Sequence, residues 1–212
     1  MLLLGHRGAR ATRSVPENTV ASFDLALAHG CDGFEFDVRR TADGRPVICH
    51  DPESHEIEIA HAGPGDLAQL PTLAEVLTRY RESAFLDIEL KVAGLENSVL
   101  HSLRLTPPQC GYVVSSFLPD VLLALRRLDA DLPLGLIAET GPQLDAWTKL
   151  PVQFAVPHYT LMNVDLCQRL HAAGRRVLTW TVNRTLDMGR FQEMGVDGII
   201  SDDTEALAKL KA

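Results

Sequence analysis

The sequence predicts a single-domain α/β fold, an eight-fold β/α barrel (TIM barrel), across its 212 residues. Two observations carry this expectation. Short apolar, β-branched or aromatic runs alternate with stretches of helical character, as in a parallel sheet covered by helices. The last unit ends on a helix and no strand is followed by a glycine-rich dinucleotide or P-loop fingerprint, so a closed barrel fits better than an open doubly wound sheet. The length lies near the lower edge for such barrels, roughly 200 residues. That leaves room for a small β-hairpin extension after the second strand and for no large insertion.

The expected strands are Leu2–Gly5, Gly33–Val38, Phe85–Leu90, Tyr112–Ser115, Leu134–Ala138, Val152–Val156, Val177–Thr181 and Gly198–Ser201. A helix is expected after each. The first is clearest: Asn18 or Thr19 can cap it after Pro16, Ala21, Phe23, Leu25, Ala26 and Leu27 supply its apolar face, and Gly30 ends it. Later helices are read at Thr72–Arg81, Asp120–Leu128, Val164–Ala173 and Thr204–Lys211.

The formal net charge of −8 and the lack of a basic stripe argue against nucleic acid or an anionic membrane surface as partner. Cys31, Cys49, Cys110 and Cys167 show no C-x-x-C spacing, so they are read as buried thiols in a reducing compartment rather than as a zinc or redox motif. Met1-Leu2-Leu3-Leu4 is too short for the apolar region of a signal peptide, and no apolar run approaches twenty residues. The expectation is a cytoplasmic monomer or homodimer acting on a small molecule, without stable membrane anchoring.

Barrel active sites lie at the C-terminal ends of the strands. Here the first three ends are unusually polar: Gly5-His6-Arg7-Gly8, Glu35-Phe36-Asp37 and Asp87-Ile88-Glu89-Leu90-Lys91. Side chains alternate along a strand, so Glu35 and Asp37 share one face, as do Asp87, Glu89 and Lys91. The apolar residues at 34, 36, 86, 88 and 90 face the helices, which turns the carboxylates into the barrel. Acids converging there would repel one another, and a hard divalent cation relieves that repulsion. Oxygen ligation favours Mg2+ or Ca2+, with Mn2+ a third candidate, over zinc. The alternative is a structural salt-bridge network with Arg7 and Lys91.

Asp43-Gly44 is a two-residue hairpin signal. Folding the chain there pairs 42 with 45 and 41 with 46, which brings His50 opposite Asp37. A hairpin in this register delivers His50 to the acids and His6, and two histidines beside a metal-bound phosphate can divide general base and general acid work. Ser115 and Ser116 lie in no Gly-x-Ser-x-Gly elbow. Trp180 is read as a substrate platform or as core packing, and no role is expected for His158.

These residues together resemble the glycerophosphodiester phosphodiesterase family. The matching motifs, in order, are Gly5-His6-Arg7-Gly8, Pro16-Glu17-Asn18-Thr19, Ala21-Ser22-Phe23, Gly33-Phe34-Glu35-Phe36-Asp37-Val38 and Thr41-Ala42-Asp43-Gly44. They continue through Val47-Ile48-Cys49-His50-Asp51, Pro71-Thr72-Leu73, Ile88-Glu89-Leu90-Lys91 and Trp180-Thr181-Val182-Asn183. The resemblance implies a barrel with His6 and His50 as acid/base pair, Glu35, Asp37 and Glu89 as metal ligands, and Arg7 with Lys91 near the phosphate. The segment Pro52–Leu70 is shorter than the family usually has, which suggests an open, small-headgroup or promiscuous pocket.

The implied reaction is metal-dependent hydrolysis of glycerophosphodiesters, such as glycerophosphocholine or glycerophosphoethanolamine, to glycerol 3-phosphate and an alcohol. The nearest rivals are a lysophospholipase D and a phospholipase C-like enzyme that stops at a cyclic phosphate. An aldolase-like barrel with Lys91 as Schiff-base lysine and a phosphate-binding pseudoenzyme are more distant.

Overall fold

The computed structural model of the chain describes residues 1–211. The chain runs β1 (Leu2–His6), α1 (Val20–Ala28), β2 (Gly33–Arg40), β3 (Pro46–Ile48), β4 (Glu53–Ser54), β5 (Ile57–Glu58), α2 (Leu73–Tyr80), β6 (Phe85–Leu90) and α3 (Glu96–Leu105). It continues β7 (Tyr112–Ser116), α4 (Pro119–Leu128), β8 (Leu134–Ala138), α5 (Gly141–Asp145), β9 (Phe154–Pro157), α6 (Val164–Ala172), β10 (Arg176–Thr179), α7 (Thr185–Met194), β11 (Gly198–Ser201) and α8 (Thr204–Ala208). Strands β1, β2 and β6 to β11 are parallel, and β1 pairs with both β11 and β2, which closes the barrel. The short β3 adds antiparallel to the outer part of β2.

The first helix begins where its capping chemistry permits. Thr19, not Asn18, is the cap: its side chain accepts from the Ser22 N–H, and Ser22 bonds back to the Thr19 backbone. Thr72 and Glu75 form the same reciprocal pair at α2. Phe34 and Phe36 are fully buried outside the sheet; Phe34 stacks on Phe23 with centroids 4.2 Å apart and meets Tyr80 edge to face. Burying each such ring stabilises the fold by roughly 2–3 kcal/mol. A one-residue slip of β2 would forfeit both and drive Glu35 and Asp37 into the helix layer. The inner core is separate: Leu4, Phe85, Val113, Ile137, Phe154, Val156, Leu178 and Ile200 fill the barrel below the acids.

Several strand boundaries shift by one or two residues from expectation, among them those of β9 and β10. Val152 precedes β9 because its N–H turns back to the Leu150 carbonyl, a tight turn that places it in the outer core. Strand β10 ends at Thr179, and Trp180 keeps only an isolated bridge to His158. The cysteine reading fails at Cys110, which is exposed, and in part at Cys49, which is half-buried; Cys31 and Cys167 are buried. The Pro52–Leu70 segment folds as the β4–β5 hairpin and a 3-10 turn, with Ile59, Ala62 and Leu67 packed on Val47. Among the described residues no helix is long and apolar enough to cross a membrane.

Candidate active site

At the end of β1 the backbone turns sharply. Arg7 adopts a left-handed conformation, φ +53°, uncommon for a branchless cationic residue and costly enough to need support. That turn aims the Arg7 N–H at Glu35 Oε2, 3.0 Å away. Its guanidinium donates from Nη1 to Glu17 Oε1 at 2.7 Å and lies 3.2 Å through Nε from Asp37 Oδ2. Gly8 follows at φ +83°, where a Cβ would fall 2.6 Å from the Ser22 backbone. The β1 turn thus rests directly on α1.

Register places the acids side by side: His6 opposes Glu35, Glu35 opposes Asp87 and Asp37 opposes Glu89. One oxygen each from Glu35, Asp37 and Glu89 lies within 4.8 Å of the others, a spread compatible with carboxylates around one divalent ion at 2.1–2.6 Å. Four acids are buried here, counting Asp87, against the two cations Arg7 and Lys91. Burial, then the charges of Asp37, Glu89 and Asp87, raise the Glu35 carboxyl well above its ordinary range. Burial and Asp37 likewise push Glu89 up to about 7, although Lys91 Nζ sits 2.7 Å from its Oε1. Asp37 behaves oppositely. Burial works against its ionisation, but Lys91, Arg7 and the Asn18 amide together hold it below the usual carboxylate range.

Glu35 Oε1 is buried with no hydrogen-bond partner. An orphaned carboxylate oxygen among excess negative charge is costly unless a cation reaches it. The residues therefore fit a divalent ion, and the ion pairs with Arg7 and Lys91 do not by themselves balance the site.

His50 reaches this place by another route than the expected one. Val38 pairs with Ile48, Arg39 with Val47 and Arg40 with Pro46, so the hairpin has one more loop residue than a two-residue turn. The Gly44 N–H bonds to the Thr41 carbonyl and Gly44 adopts φ +85°, the signature of a three-residue loop with glycine in the left-handed region. Cys49, not His50, then opposes Asp37 and donates to its carbonyl at 3.0 Å. The chain leaves the ladder after Cys49, and Arg39 Nε catches the His50 carbonyl at 2.8 Å. His50 still lines the cavity, with its Nδ1 2.8 Å from Asp51 Oδ1.

A cavity of about 200 Å3 joins these parts. His6, Arg7, Glu35, His50, Glu89 and Lys91 line it together with Trp180; Lys91 Nζ lies 5.8 Å from the centroid of the Phe117 ring, which meets Trp180 edge to face.

Comparison with known proteins places this geometry. The family model described as the glycerophosphoryl diester phosphodiesterase family matches residues 6–80 and 109–206. The chain belongs to that family. A glycerophosphodiester phosphodiesterase of Caldanaerobacter subterraneus subsp. tengcongensis is 30% identical, over 99% of this chain and 97% of the relative. Among solved structures, an Oleispira antarctica phosphodiesterase in complex with the product sn-glycerol-3-phosphate superposes with a TM-score of 0.87 at 24% identity, covering 100% of this chain and 97% of the other. A glycerophosphodiester phosphodiesterase from Parabacteroides distasonis gives 0.88 at 24% identity, with 99% and 95% covered.

In this member of the glycerophosphodiester phosphodiesterase family, several residues at the site escape a reading by strand ends alone. Asp202 follows β11 and accepts from His6 Nδ1 at 2.7 Å; Asn183 Nδ2 holds its other oxygen at 2.7 Å. The polar run Ser201-Asp202-Asp203 was the available signal. Asn18 is buried, donates to Asp37 Oδ2 at 2.8 Å and accepts from the Asp37 N–H. Its asparagine-threonine setting reads as helix capping, which conceals the contact. Asp87, fully buried beneath the cluster and held by Ser115 Oγ at 2.5 Å, is raised to about 7 by burial.

Proposed function

We propose that the protein is a metal-dependent glycerophosphodiester phosphodiesterase that releases glycerol 3-phosphate and an alcohol, with glycerophosphocholine and glycerophosphoethanolamine as representative substrates. The observation that carries this reading is the meeting of His6 and His50, from separate segments of chain, in one cavity with Arg7, Lys91 and three convergent carboxylates. Family membership supports the reaction type.

Arg7 and Lys91 supply positive charge where the phosphodiester would sit, and positioned charge that strengthens toward the transition state accelerates the step. A divalent ion held by Glu35, Asp37 and Glu89 would supply charge neutralisation and Lewis acidity there. Asp202 can only accept, so His6 carries its proton on Nδ1 when neutral and leaves Nε2 free. Asp51 does the same for His50. One imidazole removes a proton from the attacking oxygen, either water itself or a glycerol hydroxyl whose cyclic phosphate water then opens, and the other protonates the departing alcohol. His6→Ala or His50→Ala should abolish turnover with the circular dichroism spectrum unchanged.

The decisive experiment follows hydrolysis of glycerophosphodiesters and lysophospholipids by phosphorus NMR, with and without EDTA. Glycerol 3-phosphate formed only without chelator supports the reading. A cyclic phosphate as end product would replace it with a phospholipase C-like reaction, cleavage confined to lysophospholipids with a lysophospholipase D, and chelator-insensitive turnover would remove the metal site.

A further inference from the structure

Outside the catalytic cavity, one arginine ties the support of Arg7 to the support of His6. Arg10 does not line that cavity; it lines a neighbouring groove with Glu17, Asn183 and Asp202. Its Nε donates to Glu17 Oε2, and its Nη1 donates to Asp202 Oδ1 at 3.3 Å. Each of these acids also holds a group inside the site: Glu17 Oε1 accepts from Arg7 Nη1 at 2.7 Å, and Asp202 Oδ1 accepts from His6 Nδ1 at 2.7 Å. A single guanidinium thus completes a path from Arg7 through Glu17 and Asp202 to the His6 imidazole. The backbone on either side of Arg10 is pinned as well, with the Ala9 N–H on the Ser22 carbonyl and the Ala11 N–H on the Asp202 carbonyl, both at 3.0 Å. Glu17 belongs to the loop before α1 and Asp202 to the loop after β11, so Arg10 spans the seam where β1 lies between β2 and β11.

The Arg10 side chain is 41% exposed, and exposed ion pairs add little to stability. Its effect on geometry is larger. The guanidinium presents its donors in a fixed planar fork, so pairing with two acids at once fixes the position of each relative to the other. Without that fork Glu17 would keep Arg7, and Asp202 would keep His6 and Asn183, but no side chain would set the distance between the two pairs. We propose that Arg10 is a positioning residue for the phosphodiesterase reaction: by joining Glu17 to Asp202 it sets where Arg7 holds the phosphate with respect to the His6 imidazole. This rests on the phosphodiesterase reading above and adds to it a residue that touches no substrate.

The test measures kcat and KM of the purified full-length protein on glycerophosphocholine, with Mg2+ or Ca2+, for Arg10→Ala alone and in the Asp202→Asn and Glu17→Gln backgrounds. Each rate is divided by the folded fraction that circular dichroism reports, so that loss of folded protein does not enter the comparison. Arg10→Ala should lower kcat about tenfold and raise KM about threefold, as small displacements of reacting groups do. In the Asp202→Asn background the further loss of kcat should shrink below about twofold, and in Glu17→Gln the further rise in KM should do the same, because residues acting through one another are not additive. Wild-type kcat and KM in Arg10→Ala, or effects that multiply undiminished in either background, overturn the positioning role and leave the phosphodiesterase reading in place. A wild type that cleaves no glycerophosphodiester overturns both together.

Discussion

At His6 the imidazole is held through Nδ1 by Asp202, and Asp202 is itself held by Asn183, leaving Nε2 directed toward Glu35 at 3.8 Å. Asp202→Asn keeps the shape but replaces an obligate acceptor by a group able to donate, which misorients the ring or its tautomer. We expect kcat to fall about a hundredfold, the lower end of what general acid–base catalysis contributes, with KM nearly unchanged. The same residue carries a pH signature. Despite burial, His6, Asn183 and Arg10 hold its carboxyl down at about 2, below the unfolded value near 3.9. Its contribution to stability is therefore complete above that value and is lost as pH falls toward 2. Denaturant titrations should show a weaker loss of stability between pH 4 and 2 in Asp202→Asn than in the wild type. Arg39 makes a parallel case for His50, because it holds the histidine backbone carbonyl. Arg39→Ala should lower kcat about tenfold, as small displacements of catalytic groups do, while guanidinium added to the assay restores part of the rate.

Among the elements, the β2–β3 hairpin decides whether the second histidine arrives. Its loop needs a left-handed residue at Gly44, and a Cβ there would meet nothing within 4 Å. The cost of Gly44→Ala is accordingly conformational, about 1–2 kcal/mol. In a domain of this size that lowers Tm by roughly 2–8 °C, measurable by calorimetry, with a sharper loss of activity because His50 depends on the register. Strand β2 was legible from its own residues: the alternation of Phe34, Glu35, Phe36 and Asp37 can be satisfied only with the rings on the helices and the acids within. The hairpin register was not. Asp43-Gly44 supports loops of two or three residues, and the choice depends on how Thr41 and Arg45 close the turn and on Arg39 reaching the His50 carbonyl.

For the molecule as a whole, the barrel gathers more negative charge at its mouth than its own cations balance, so a bound divalent ion should stabilise the fold as well as permit turnover. An ion present at a hundredfold above its Kd adds about 2.7 kcal/mol, or roughly 5–11 °C in Tm for a domain this large. Scanning calorimetry with Mg2+ or Ca2+ should show the shift, and Glu89→Gln should diminish it strongly. No shift in the wild type would count against the cluster as a metal site.

The order of eight strand–helix units, the inward face of Glu35, Asp37 and Glu89, and the gathering of His6 and Arg7 with them were all readable along the chain. Each follows from local periodicity and from the rule that strand ends meet at one rim. The partners Asp202, Asn18 and Arg39, and the meeting of Phe117, Glu139 and Trp180 in the same cavity, were decided only by tertiary structure. Asp202 lies 196 positions from His6 and becomes its neighbour because β11 closes on β1. Barrel closure is a long-range contact with no local periodic trace, and the cavity itself exists only after the later strands have brought their ends to the same mouth.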